Sequence, residues 1–90
     1  MPYYIIERNY LNEVVTPVEN APNVNLINDE EDVRWLFSFL SVDRRKTYCL
    51  YEAPSMEAIR VAAMRAGLPA DVITEVTGRV MPDGVLVPVG

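Results

Sequence analysis

The sequence predicts an α+β domain in the order β-α-β-β-α-β, one antiparallel sheet with two helices on one face. Three observations carry this expectation. Two aromatic and β-branched runs, VRWLFSFLSV and TYCLYE, flank the charged turn DRRK; a helix-patterned segment, MEAIRVAAMRA, is framed by Pro-Ser and Gly; and a strand-like run, YYIIER or DVITEVT, stands outside each of these units.

Tyr3 to Arg8 opens the chain with aromatic and β-branched residues, the composition of a strand. Thr16-Pro17-Val18-Glu19 then reads as a helix start, with Thr at the N-cap, Pro at the first helical position and Glu closing a capping box. The predicted helix covers Pro17 to Glu31, and Pro22 is where it would break, because proline removes a donor while Asn20, Asn23, Asn25 and Asn28 compete for backbone hydrogen bonds.

Val33 to Val42 and Thr47 to Glu52 form the predicted β-hairpin around Asp43-Arg44-Arg45-Lys46. With the turn centred on Arg44-Arg45, Ser38 falls opposite Tyr51, Leu40 opposite Cys49 and Phe37 opposite Glu52. Strict alternation sends Trp35, Phe37 and Phe39 to one face and Leu36 and Leu40 to the other.

Pro54-Ser55 ends the second hairpin strand and caps a helix over Met56 to Ala66, whose Ile59, Ala62, Ala63 and Ala66 share a face; Gly67 and Pro69 stop it. Asp71 to Thr77 is the last strand of a domain spanning residues 1–79. Residues 80–90 form a tail with a Pro-Asp-Gly turn and an apolar run, suited to an added edge strand, here or on a partner subunit.

This element order is the ferredoxin-like, or split βαβ, layout. Helices cover only one face of such a sheet, yet the hairpin is apolar on both faces. The expected remedy is sheet-to-sheet packing of two copies, as in a dimeric α/β barrel with an apolar interior. A chain of 90 residues also buries a smaller share of its surface than a longer one, and a second copy compensates.

A formal net charge of −5 argues against nucleic acid and anionic membranes as partners. No apolar run approaches the about 20 residues of a membrane span, and the start MPYYIIERNY lacks a secretory pattern, so a cytoplasmic location is expected. With no histidine and one cysteine, the chain lacks the commonest general base and neutral metal ligand. No cofactor and no metal-ligating residue are expected from the residues themselves.

The block from Trp35 to Val76, through TYCLYEAPS, EAIR and AGLPAD, resembles the DUF4242 family, and a weaker likeness reaches back to Tyr3. These are small bacterial and archaeal proteins of mostly unknown function with a ferredoxin-like fold, some described as nickel-binding. The resemblance therefore implies that fold and brings nickel in as the family's metal. Many relatives carry histidine two positions after the strand tryptophan and three after the isoleucine of EAIR; here Phe37 and Ala62 stand there, and neither can bind a metal.

Two sets of candidate residues remain. Glu7, Glu52 and Glu75 lie in or at the ends of strands that the layout makes neighbours, where converging carboxylates would raise a pKa and supply a proton-transfer base for a cofactor-free reaction. Trp35, Ser38, Tyr48, Cys49 and Tyr51 are the candidates for lining a small-molecule cavity, with Ser38 and Tyr51 as its polar pair. Against these stand plainer roles: ion pairs of the glutamates with Arg8, Arg34 or Arg79, and Cys49 as a buried small hydrophobe. The favoured function is a homo-oligomeric domain holding a small ligand, with a small enzyme or a nickel-binding protein as alternatives.

Overall fold

The computed structural model describes residues 1–12 and 21–89. Its main sheet contains β1 (Tyr3–Asn9), β2 (Arg34–Leu40), β3 (Lys46–Glu52) and β4 (Val72–Val76), antiparallel throughout in the spatial order β2-β3-β1-β4. Two helices, α1 (Ala21–Glu30) and α2 (Met56–Ala66), complete the β-α-β-β-α-β order. The predicted α+β fold, with β1 and β3 as central neighbours and β4 flanking β1, is the one observed.

The capping box at Thr16 to Glu19 lies outside the described residues. From Ala21 the helix continues past Pro22 without a break, and Pro22 sits in the first described turn, the part of a helix that tolerates a missing donor. Just beyond the helix end at Glu30, Asp32 takes a left-handed φ of 60°, so that the Val33 N–H turns back to the Asn28 carbonyl at 2.8 Å.

Helix α2 starts and stops as its sequence predicts. Ser55 accepts a hydrogen bond from the Ala58 N–H at 3.1 Å. Gly67 takes φ of 69°, and the Leu68 N–H closes on the Ala63 carbonyl at 2.9 Å.

The hairpin corrects the expected register in two ways. Its turn is tied by the Ser41 N–H to the Lys46 carbonyl at 2.9 Å, the Asp43 carboxylate accepts from the Ser41 hydroxyl at 2.6 Å, and Arg44 has φ of 61°. This centres the turn between Asp43 and Arg44, and Ser38 faces Cys49, Phe37 faces Leu50 and Leu40 faces Thr47. An irregularity between Trp35 and Phe37 then inserts one extra residue, Leu36, and places Trp35 opposite Tyr51. The bulge reverses strict alternation, so Trp35 joins Ser38 on one face while Phe37 and Phe39 stay on the other.

Those two faces differ sharply. On the helix-covered face Tyr4, Ile6, Cys49 and Tyr51 pack with Val33, Ala53, Ile59 and Ala62, flanked by Ile27, Trp35, Met56 and Ile73. Full burial of an Ile such as Ile6 or Ile59 stabilises by about 1.5–3 kcal/mol. The bare face presents Ile5, Phe37, Phe39, Tyr48 and Val72, all at least one-third exposed.

Beyond β4 the tail pairs with itself. Strands β5 (Gly78–Val80) and β6 (Leu86–Pro88) form a separate antiparallel ribbon around the Pro-Asp-Gly turn, where Gly84 has φ of 84° and Asp83 accepts from the Val85 N–H at 3.0 Å.

Candidate functional site

Alternation along β1 sends Tyr4, Ile6 and Arg8 beneath the helices, and the chain thereby carries a guanidinium into its core. Arg8 is only 2% exposed. Its Nη1 donates to the Pro69 carbonyl, its Nη2 donates to the Tyr51 hydroxyl at 3.3 Å, and its carbon lies 5.6 Å from the centre of the Tyr51 ring. No carboxylate among the described residues forms an ion pair with it.

Around this contact lie further polar groups. Cys49, two residues from Tyr51 on the same face, donates its thiol to Thr47 Oγ1 at 3.6 Å, and Tyr10 shares a hydrogen bond with that same oxygen at 3.1 Å. From α1, Asn28 comes into the range of the Tyr51 phenol, yet its amide nitrogen is buried with no hydrogen-bond partner of good geometry. Trp35 Nε1 donates to Ser38 Oγ at 2.8 Å beside them.

Burial pushes the Tyr51 phenol above its ordinary value, although the Arg8 charge, the Arg8 hydrogen bond and the nearby Asn28 amide pull the other way. For Arg8, burial works against the charge, and the pull of Tyr51 and Cys49 more than offsets it, leaving the guanidinium above its ordinary value. At neutral pH Tyr51 is therefore a neutral phenol beside a fixed cation. It solvates the charge and does not neutralise it.

Of the five expected cavity residues, Trp35, Ser38, Cys49 and Tyr51 gather on this helix-covered face, while Tyr48 lies on the bare face under the Lys46 ammonium, 5.8 Å from its ring centre. The three glutamates do not converge. Glu7 and Glu52 are on the bare face, paired with Lys46 at 3.9 Å and Arg34 at 3.4 Å, whereas Glu75 is exposed on edge strand β4, opposite Tyr4 and so on the other side of the sheet. The half-buried Tyr3, across from Glu52, has its phenol held above its ordinary value chiefly by a hydrogen bond to that carboxylate.

Arg8 and Asn28 are the site residues that the sequence reading did not single out. The signals existed: Arg8 continues the inward Tyr4-Ile6 alternation, and Asn28 falls four residues after the buried Val24 on a helix. By sequence, Arg8 stands as an ion-pair partner for the glutamates and Asn28 as a residue that weakens the helix, whereas both are buried, which is uncommon for charged and amide side chains.

The nickel that the family resemblance implies meets an unsuitable donor set within one chain. There is no histidine, the one cysteine is buried and bonded to Thr47, and among the described residues no group of three Cys, Asp or Glu comes together. Phe37 and Ala62, the positions matching the family's histidines, lie on opposite sides of the sheet, Phe37 on its bare face and Ala62 in the core beneath α2. The described residues bring together no donor set that fits nickel within a single protomer.

Fold and site together define a small α+β domain of the ferredoxin-like type, with a polar cluster buried beneath its helices and an apolar sheet face left open. The profile of the family described as "Nickel responsive protein SCO4226-like" matches residues 4–76, and the chain belongs to that family. Among solved structures it is similar to the crystal structure of SCO4226 from Streptomyces coelicolor A3(2), with a TM-score of 0.72, 24% identity, and coverage of 82% of this chain and 94% of the other. That likeness establishes the fold. None of the curated proteins compared matches the chain. Among the described residues no helix is long and apolar enough to cross a membrane.

Proposed function

We propose that the chain works as a homodimer that holds a small ligand and catalyses no reaction. One observation supports this above the rest: the sheet leaves an aromatic face bare where a free-standing monomer would present polar side chains. Its bare face exposes Phe37 (50%) and Phe39 (66%), whose rings meet edge to face at 5.5 Å, while its covered face buries Arg8.

An aromatic face of this kind is stable when a second copy covers it. The self-paired charges near it, Arg34 with Glu52 and Glu7 with Lys46, leave no net charge to oppose a two-fold contact. The tail ribbon adds apolar surface at Val80, Val85 and Leu86, and edge pairing with the second copy is its role in this reading. The ligand's place in this reading is the helix-covered face, where Tyr51 meets Arg8 and Asn28 and where Cys49, Ser38 and Trp35 lie on the same side of the hairpin.

Light scattering at micromolar concentration tests the assembly. Wild-type protein is expected at twice the chain mass, and Phe39→Glu at the monomer mass with its fold retained. A wild-type monomer would remove the dimer.

The family's name supports a second reading, a response to nickel. Its donors would be carboxylates, since the chain has no histidine. Calorimetric titration with nickel decides it, and absence of stoichiometric binding at micromolar metal ends that reading.

A further inference from the structure

A two-stranded ribbon standing by itself is marginally stable in water. Strands β5 and β6 have three residues each and pair only with one another among the described residues. They lie beyond residues 4–76, the stretch that the family profile matches, so the ribbon is an addition to the shared domain.

The ribbon has two unlike faces. Its register sets Gly78 against Pro88 and Val80 against Leu86 on one face, and Arg79 against Val87 on the other. Val87 is half-buried and Val89, of the same parity, is buried, so that face lies against the chain itself. Val80 (75% exposed) and Leu86 (64%) point outward. Leu86 is nevertheless held in place. A Cβ on Gly78 would meet Leu86 Cδ1 at 2.9 Å and the Val87 carbonyl oxygen at 3.0 Å, so the leucine lies across a position that glycine alone leaves open. An exposed apolar side chain fixed in advance loses little freedom on contact, the property of an interface anchor.

Only Thr77 separates β4 from β5, and alternation puts Val72, Val76, Gly78 and Val80 on one side of that run. The outward face of the ribbon thereby continues the bare face of the main sheet. Two apolar patches stand at its opposite edges, Phe37 and Phe39 on β2, and Val80 and Leu86 beyond β4. A two-fold axis running along the strands between two such sheets carries the β2 edge of each copy over the β4 edge of the other. One operation covers both patches in both copies. The charge pairs on this face, Arg34 with Glu52 and Glu7 with Lys46, cancel, so a charged partner gains nothing there and a second copy meets no repulsion. We infer that the tail ribbon is a clasp for the second copy, in which Leu86 and Val80 pack against the aromatic pair of β2. The inference rests on the dimer proposed above and assigns part of its affinity to the tail.

Sedimentation of the full chain over a dilution series gives the dissociation constant of the dimer. Leu86→Asp and Val80→Asp are each expected to raise it by at least about tenfold, since a two-fold contact repeats every loss. Arg79→Ala, on the opposite face of the same strand, is expected to leave it unchanged. To separate a lost contact from a loosened ribbon, wild-type dimers mixed from isotope-labelled and unlabelled chains are expected to show nuclear Overhauser contacts between the Leu86 methyls of one copy and aromatic ring protons of the other. Absence of those contacts, or an unchanged dissociation constant in both Asp variants, overturns the clasp and leaves the dimer standing. An Arg79→Ala loss as large as that of Leu86→Asp overturns the assignment of faces and the clasp with it. A wild-type monomer removes both proposals.

Discussion

Trp35 Nε1 donates to Ser38 Oγ at 2.8 Å, a bond between residues three apart on one strand. In an unbroken strand they would point to opposite faces. The extra residue at Leu36 turns them onto the same one and brings the indole against the core. Ser38→Ala leaves a half-buried indole N–H without that partner and is expected to cost about 1 kcal/mol. Because Trp35 is the chain's one tryptophan, urea unfolding followed by its fluorescence reads both the lost stability and a shifted emission. An unchanged midpoint and spectrum would show the bond to be idle.

That bulge also marks where sequence reading stopped. Element order, the α2 caps and the hairpin follow from local chemistry: Ser55 and Gly67 act within a few residues of themselves, and alternation holds in β1 and β3. The Leu36 insertion and the hairpin register depend on which turn the chain closes, and several turns suit DRRK. The polar cluster was half legible. Cys49, Tyr51, Ser38 and Trp35 were candidates from one hairpin, but Arg8 and Asn28 join them only through packing between β1, β3 and α1.

Arg8 and Tyr51 make stability depend on alkaline pH. The folded Tyr51 phenol titrates above its ordinary value of 10.0, so the folded state holds its proton more tightly than the unfolded state. Its contribution is complete below pH 10.0 and is lost as pH rises through the raised folded value. Tyr51→Phe should lower stability by about 1 kcal/mol at neutral pH through the lost hydrogen bond, and should decline less steeply above that point. Urea midpoints between pH 8 and 11, compared with wild type as about equal steps, measure the difference in slope. Parallel curves would contradict the assignment.

Ile59 anchors α2 to the sheet at 1% exposure, packed in the core with Ile6, Cys49 and Tyr51. Ile59→Ala is expected to cost about 2–5 kcal/mol, and Ser55→Ala, at the N-cap of the same helix, about 1 kcal/mol. Denaturant midpoints give both. A larger loss at Ser55 than at Ile59 would mean that the cap, and not the packed face, holds the helix.

Gly67 separates backbone strain from crowding. Its φ of 69° is left-handed, and a Cβ built there meets no atom within 4 Å. Gly67→Ala should therefore cost about 1 kcal/mol through conformation alone, and Gly67→Asn less, since asparagine tolerates that region better. The sizes of the two side chains run opposite to the expected costs. If thermal or urea unfolding ranks Asn as the more damaging substitution, crowding governs this helix end and the open space around the Cβ has been misjudged.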